Sequence, residues 1–462
     1  MATTYPARSV PAPPVPAPPA APAPATGTDP GLVLGLIVAG ALATIALWWQ
    51  NTESISGLGD WLTNAGRVTG LLAGYGVVVL VALMARIPPL ERGIGADRLA
   101  RWHAHGGRYT VSLILAHGLL IIWGYANTAH TDVISQTGTL LTSYPDVLMA
   151  TVAGLLLVGV GAVSARAARR RMRYETWYYL HFYTYLAVAL AFSHQFATGA
   201  DFMTNRPARI AWSALYLGVG AAIGWYRFAV PIRQALRHRL RVTAVYPEAA
   251  GVVSVLVTGR HLAELQAESG QFFRWRFLTR ELWWTSTPYS LSAAPSGNTL
   301  RITAKGFGDH SAALARLRPG TKVIAEGPYG ALTAARRTRR KVLLIAGGIG
   351  VTPLRALFES LPAGPDELTL LYRASRSHEV VFGEELAAIA EQRGARLHVL
   401  TGRRTELGYD PLSVEALTTN IPDLRDYDVY LCGPQPLISD VGSALRAARV
   451  PRRQIHVESF EF

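Results

Sequence analysis

The sequence predicts a multi-domain membrane protein: a six-helix transmembrane bundle, then a domain of antiparallel strands, then an α/β domain. Three observations predict it. Half of the 462 residues are hydrophobic and only 16% are charged, against about 25% in soluble chains. Six apolar runs fill residues 31–230, each near the ~20 residues that cross a bilayer as a helix. Beyond residue 238 such runs stop, and strand-like runs give way to alternating strands and helices.

Charge and cysteine content narrow the chemistry. There are 45 basic against 31 acidic residues, a net charge of +14 with a mean hydropathy of +0.20. Only Lys305, Lys322 and Lys341 are lysines, and the arginines cluster in blocks between apolar runs. A nucleic-acid binder does not interrupt its basic blocks this way, so nucleic acid is excluded as a partner. The single cysteine, Cys432, excludes an internal disulfide framework, a Cys-based zinc site and a Cys-ligated iron–sulfur cluster. Any metal must be held by histidine, methionine or carboxylate.

Residues 1–30 carry ten prolines and read as a disordered, polyproline-II-like tail. They lack the apolar core and cleavage site of a signal peptide. Residues 31–230 hold the spans, at about 32–49, 67–85, 108–125, 147–165, 177–196 and 209–227. Arg86, Arg92, Arg98, Arg101 and Arg108 surround the link between spans two and three. Arg166, Arg169, Arg170, Arg171 and Arg173 fill a second link on the same side, and Arg227, Arg233, Arg237, Arg239 and Arg241 follow span six. The opposite loops carry Glu53, Asp60, Asp132, Asp146 and Asp201, with Arg206 the main basic exception. The positive-inside rule places both termini in the cytoplasm of a multi-pass cell-membrane protein. Residues 238–334 carry the strand-like runs Val252–Val257, Leu300–Ala304 and Lys322–Ala325. Residues 335–462 alternate strand and helix.

Four histidines carry the first chemistry. His103 and His117 are 14 residues apart on span three, and His181 and His194 are 13 apart on span five. At 1.5 Å per residue each helix sets its two histidines roughly 20 Å apart. Both spans run in the same direction, so His103 levels with His181 and His117 with His194. Two stacked bis-histidine sites follow, each suited to a six-coordinate b-type haem. Histidines that merely hydrogen-bond between helices are the alternative. Fourteen residues return to within ~40° of one helix face, whereas thirteen miss by ~140°. Tilt or a distortion near His194 is expected to absorb this. Arg67 opens span two, and two readings stand: snorkelling to the headgroups, or facing the bundle to meet a haem propionate or an electron acceptor.

The soluble half carries weaker motifs that gain force together. Thr287-Pro288-Tyr289-Ser290-Leu291-Ser292 ends a strand; a tyrosine ring can lie along an isoalloxazine while a neighbouring hydroxyl bonds its polar edge. Lys305-Gly306-Phe307-Gly308-Asp309-His310-Ser311 leads into a helix expected at Ala312, a setting for a pyrophosphate. Val342–Ala346 reads as a buried strand, followed by Gly347-Gly348-Ile349-Gly350-Val351-Thr352-Pro353 and a helix from Leu354. Strand, glycine turn and helix are the context for dinucleotide phosphates. Arg373 and Arg376 follow the strand Leu368–Tyr372, and Arg403 and Arg404 follow Leu397–Leu400. These arginines either hold the 2′-phosphate of NADPH or are solvated surface charge. Cys432-Gly433-Pro434, after the strand Tyr427–Leu431, either approaches a nicotinamide or contributes a buried structural thiol. Near the chain end an aromatic can stack on a flavin.

In this order the motifs resemble the ferric reductase / NADPH oxidase superfamily, from residue 31 to 462. The resemblance implies a six-helix two-haem membrane domain fused to a ferredoxin–NADP reductase-type module, with an FAD-binding β-barrel over 238–334 and an NADPH-binding α/β domain over 335–462. It implies that His103 and His181 ligate an inner haem, and His117 and His194 an outer one. Tyr289 and Ser290 take the flavin position, and Gly308 with Ser311 the FAD pyrophosphate. Gly347, Gly348, Gly350, Thr352 and Pro353 match the pyridine-nucleotide loop, Gly433 and Pro434 the segment beside the nicotinamide, and Phe460 the flavin-stacking aromatic. Arg67 matches an arginine near the outer haem. Thr287 stands where the soluble reductases have arginine and the oxidases often have histidine; Lys305 or Arg274 is expected to compensate in neutralising the FAD phosphates. The implied activity passes electrons from cytoplasmic NADPH, or NADH, through FAD and the haems to an extracytoplasmic acceptor. That acceptor is oxygen, giving superoxide, or a ferric chelate. The alternative is an electron-transfer subunit serving a partner protein or quinone.

Overall fold

The computed structural model describes residues 28–165, 172, 174–306 and 313–459. The proline-rich stretch 1–27, the arginines at 166–171 and 173, Gly308, Ser311 and Phe460 lie outside these residues. The described chain forms two compact units, one of residues 28–90 and 98–228 and the other of 91–97 and 229–459.

The first unit is helical. Its long helices are α1 (Pro30–Gln50), α2 (Gly57–Leu83), α3 (Ala96–Thr128), α4 (Val147–Ser164), α5 (Tyr174–Ala197) and α6 (Arg206–Ile223). Asp29 caps α1 by accepting from the Leu32 N–H, with Pro30 opening the helix. Asn205 caps α6 in the same way through Ala208. Among the described residues five helices are long and apolar enough to cross a membrane. The span expected at 177–196 is a 24-residue helix, α5, but its five tyrosines and two histidines lower its hydropathy below the others. Leu32, Leu36, Leu42, Leu119, Leu155 and Leu217 are exposed, as lipid-facing side chains are. Continuation of α6 through a π-helical turn at Gly224–Ala229 into α7 (Val230–His238) was not legible beforehand.

The second unit builds two β layers. Strands β1 (Arg241–Ala249), β2 (Val252–Thr258) and β5 (Thr299–Lys305) form one antiparallel sheet. Strands β3 (Phe272–Phe277), β4 (Thr287–Ser290) and β6 (Val323–Tyr329) form another. Bridges Arg241↔Lys322 and Leu291↔Ile302 join the two sheets at both edges. Val255, Val257, Phe273, Trp275, Leu291 and Ile302 share the core between them.

The remainder is a five-stranded parallel sheet in the order β11-β10-β7-β8-β9. Its strands are β7 (Lys341–Gly347), β8 (Leu368–Arg373), β9 (Arg396–Leu400), β10 (Tyr427–Gly433) and β11 (Ile455–Ser459). Leu344, Leu370 and Tyr430 join one core, while Leu343, Ile345, Leu371 and Val429 join the other. Both faces of β7 are therefore dry, which is why it reads as an unbroken apolar run. Helix α8 (Val351–Ser360) begins three residues before the expected Leu354, after a 3-10 turn over Gly348–Gly350. Pro353 lies inside its first turn, where its missing N–H costs nothing. Helices α9 (Gly383–Arg393) and α10 (Gln435–Ala447) complete the layer.

Candidate functional site

Histidines of α3 and α5 meet in the pairs expected from their levels. The His103 and His181 ring centroids lie 5.9 Å apart at 63°, and those of His117 and His194 lie 6.4 Å apart at 61°. Helix α5 is unbroken through both of its histidines, so the expected local distortion at His194 is absent.

Three of the four rings are oriented through Nδ1. His103 Nδ1 lies 3.1 Å from the Leu80 carbonyl oxygen and His117 Nδ1 2.8 Å from that of Gly66. His194 Nδ1 lies 2.9 Å from Thr198 Oγ1, whose own proton goes to the His194 carbonyl. A proton on Nδ1 leaves the Nε2 lone pair free, the tautomer a metal requires. His181 Nδ1 is buried without a partner among the described residues. Leu80 and Gly66 are 14 residues apart, as are His103 and His117, so one antiparallel helix supplies a carbonyl to each ring.

Glycines on α2 permit this approach. A Cβ on Gly70 would stand 2.6 Å from His117 Nδ1, and one on Gly66 would stand 2.8 Å from Ile121 Cδ1. The i, i+4 small-residue spacing was the available signal for this close helix contact, and sequence reasoning passed over it. No group of three or more His, Cys, Asp or Glu side chains forms a metal site among the described residues. Two axial imidazoles suffice for haem, whose macrocycle supplies the remaining ligands, so the residues present fit that group.

Arg67 does not stand as free charge. Its Nη2 lies 2.7 Å from Asp201 Oδ1, Nη1 donates to Asn64 Oδ1 at 3.0 Å and Nη2 to the Asn51 carbonyl at 3.3 Å. The Asp201 side chain is 4% exposed. The aspartate placed in an outer loop by its sequence position is thus the buried counter-ion of Arg67.

In the β layers, Tyr289 is half-buried, and burial pushes its phenol up to about 12 against the lowering effect of a bond to Thr287. Ser290 is buried, and its Oγ has no partner among the described residues. An orphaned hydroxyl beside this tyrosine fits a flavin edge. Arg274, in register with Pro288, donates through Nη2 to the Ser286 carbonyl at 3.0 Å, while its Nε is buried without a partner. Lys305 ends β5.

The parallel sheet places the glycine loop at its switch point. The chain leaves β7 for β8 and β9 on one side and returns to β10 and β11 on the other, opening a crevice at the carboxyl ends of β7 and β10. Gly347–Gly350 follows β7 and Cys432-Gly433-Pro434 ends β10. A Cβ on Gly350 would lie 2.4 Å from the Cys432 carbonyl oxygen and 2.7 Å from Gly433 Cα. The loop and the β10 end are therefore in backbone contact. Gly348 has φ +54°, and Thr352 Oγ1 donates to the Ile349 carbonyl at 3.0 Å. Thr352 and Pro353 are buried in the first turn of α8. Cys432 is fully buried in the core, in keeping with the structural alternative for its thiol.

The arginines divide. Arg373 gives three of its five N–H donors to the carbonyls of Ala374, Leu400 and Gly402, so it ties two strand ends together. Arg376 and Arg403 are exposed beside it. Arg404 pairs with Asp410 and Asp440.

Residues 69–192 match the profile of the ferric reductase-like transmembrane component, and residues 344–443 that of the oxidoreductase NAD-binding domain. The ferredoxin reductase component of 3-ketosteroid-9-alpha-monooxygenase from Mycobacterium tuberculosis is 29% identical over 202 residues, 43% of this chain and 56% of that protein. A flavohemoprotein of Vibrio cholerae is 29% identical over 262 residues, 54% of this chain and 63% of its own length. Ferredoxin–NADP reductase B of Sorangium cellulosum is 31% identical over 191 residues, 37% of this chain and 77% of that protein. The chain spans 56 to 64% of the length of the first curated relatives it matches. It is an FAD- and NAD(P)-binding oxidoreductase of electron transport with a transmembrane part. The chain belongs to the ferric reductase / NADPH oxidase superfamily, as a ferric-reductase-like transmembrane domain joined to a ferredoxin–NADP reductase-like module.

Proposed function

We propose that this protein is a flavocytochrome b of the NADPH oxidase or ferric-chelate reductase type, six-spanning with both termini cytoplasmic. Electrons pass from cytoplasmic NADPH through FAD and two b-type haems to an extracytoplasmic acceptor. FAD, when bound, takes up two electrons as a hydride and releases them singly, and haem iron relays them one at a time. The observation that carries this reading is the spacing of the histidine pairs, 5.9 and 6.4 Å between ring centroids. His103 with His181, and His117 with His194, would each hold a haem iron through their ring nitrogens, and that iron would supply one-electron relay. The carbonyls of Leu80 and Gly66 favour the ligating tautomer of His103 and His117, and the Thr198 hydroxyl contacts Nδ1 of His194.

In the reductase module the two bridged sheets are read as one barrel, with Tyr289 and Ser290 against the flavin. Gly347, Gly348 and Gly350 bring backbone to the nucleotide phosphates at the start of α8. Arg376 and Arg403 are the donors for a 2′-phosphate. Gly308, Ser311 and Phe460 keep their assignments to the FAD pyrophosphate and flavin face. The test is a haem assay on purified protein: two b haems per chain support the reading, and none sinks it.

For the acceptor, Asp201 neutralises Arg67, leaving Arg206 and Arg209 as the cations of the outer end. Their charge stabilises a nascent superoxide anion and attracts an anionic ferric chelate alike. Oxygen is the leading acceptor and ferric chelate the second. Superoxide dismutase decides between them: it suppresses NADPH-driven cytochrome c reduction if oxygen is the acceptor and leaves it untouched otherwise. Similarity to the reductase component of a monooxygenase favours a second reading, delivery of electrons to a partner protein. Turnover of NADPH by purified protein with oxygen or ferric chelate alone would exclude it.

A further inference from the structure

Four charged side chains form a network between the antiparallel sheets and the α/β layer, and none of them belongs to a cofactor motif. Arg301 on β5 holds Glu385 on α9 with two parallel bonds of 3.0 and 3.1 Å, and also donates to the Ser292 carbonyl at 2.7 Å. Arg355 on α8 is 4% exposed and donates to both Glu359 and Glu385. Glu359 in turn accepts the Ala294 N–H at 2.8 Å. The Arg301 guanidinium also stacks over the Phe382 ring, 4.9 Å from its centre.

The position of this network matters more than its charge. Ser292 and Ala294 follow Ser290, the residue at the flavin position, by two and four residues. Arg355 lies five residues beyond Gly350, one helical turn into the helix that the nucleotide loop opens. Glu385 alone accepts from both arginines, one from each layer. Two glutamates balance two arginines, so the network is neutral overall, and removal of Glu385 would leave two guanidinium groups facing each other. A buried network is weak evidence for stability, because desolvation offsets much of the attraction. It is strong in geometry: bidentate arginine–carboxylate pairs fix both distance and angle.

We propose that Glu385 is a positioning residue for hydride transfer, clamping the flavin-bearing strand to the nucleotide-bearing helix through Arg301 and Arg355. The proposal rests on the nicotinamide-to-flavin reading above. A displacement of about 1 Å between donor and acceptor costs on the order of 100-fold in rate without affecting how either cofactor is bound. The clamp therefore acts on the transfer step at saturating nucleotide.

The experiment is anaerobic stopped-flow reduction of the full-length, FAD-loaded protein by NADPH, read as loss of flavin absorbance. Glu385→Gln and Arg301→Met are expected to lower the limiting rate by about 10- to 100-fold. FAD content and the NADPH concentration giving half-maximal rate should stay within about twofold. The double variant should be no slower than the slower single one, as for residues acting as one unit. A limiting rate equal to that of the unsubstituted protein, in a variant that retains FAD, overturns the clamp. So does a defect confined to nucleotide affinity. If Glu385→Gln loses FAD, Arg301→Lys carries the same test, because it keeps the charge and loses only the bidentate geometry. An unsubstituted protein that NADPH and NADH both fail to reduce overturns the nicotinamide–flavin reading itself, and the clamp with it.

Discussion

The helical unit and the reductase module build their sites from opposite parts of the residue. In the helices the chemistry sits in side chains: four imidazoles project from α3 and α5, and the backbone supplies only the carbonyls that orient them. Helical backbone has spent its hydrogen bonds internally, so a lipid-embedded site has side chains as its main resource. In the parallel sheet the reverse holds. The glycine loop after β7 and the Cys432–Pro434 turn after β10 meet backbone to backbone, so a dinucleotide bound there would meet N–H groups and a helix end. Side-chain sites should therefore fail piecemeal on substitution, and backbone sites all at once.

The sharpest break in that comparison comes from His117→Ala. Haem per chain should fall from two to one, with loss of half the reduced-minus-oxidised absorbance. Flavin reduction by NADPH, and electron arrival at the His103–His181 site, should persist. Loss of both haems together would mean that the two layers do not act separately. Next comes Gly350→Ala, which places a methyl group 2.4 Å from the Cys432 carbonyl oxygen. Neither backbone can yield cheaply, so overpacking should cost about 1–3 kcal/mol. Reduction of flavin by NADPH should drop by about 100-fold, because loop and turn move together. Retention of unaltered reduction kinetics would show that the loop is not the nucleotide site.

The same contrast explains what was legible in the sequence. The histidine pairing could be read because imidazole is rare in lipid and the two spacings nearly coincide. The strands β7, β8 and β10 fell where apolar runs announced them, since both-face burial leaves no alternation to decode. Partners from distant sequence were not readable. Asp201 lies 134 residues from Arg67, and nothing local marks it as buried. Arg373 looked equal to Arg376 and Arg403, and only the fold shows that three of its donors go to carbonyls. The Glu385 network was missed for the same reason: its members come from β5, α8 and α9, and charges on helices ordinarily face water. Hydropathy also rates α5 below the other long helices, because its tyrosines and histidines lower the average used to recognise a span.

A smaller effect sharpens the division among the arginines. Arg403→Ala should narrow the preference for NADPH over NADH in kcat/KM by about tenfold, the loss of one charge-assisted phosphate contact. Arg373→Ala should instead lower thermal stability and leave the NADPH/NADH ratio unchanged. Equal use of both nucleotides by the unsubstituted protein, or a ratio that follows Arg373, would reverse the assignment.

The last effect is on stability and tests how the parallel sheet is anchored, away from either cofactor. Asp428 at the start of β10 is fully buried and accepts from the Thr338 hydroxyl at 3.0 Å, from the Thr338 and Arg339 N–H groups, and from His456 Nε2 at 3.2 Å. Burial alone raises its carboxyl, but the bonds from His456 and the two backbone groups outweigh it and hold the group below its ordinary value. A carboxylate depressed in the folded state stabilises the fold above its unfolded value of about 3.9 and loses that contribution as pH falls through the folded value. Asp428→Asn should therefore cost about 1.5–3 kcal/mol at neutral pH, the worth of a hydrogen bond to a charged group. The difference should close only below about pH 4. Flavin release on heating the full-length protein in detergent, followed between pH 3 and 7 by fluorescence, reads both quantities. A Tm difference that persists undiminished into acid would show that Asp428 acts through shape alone and that its charge contributes nothing.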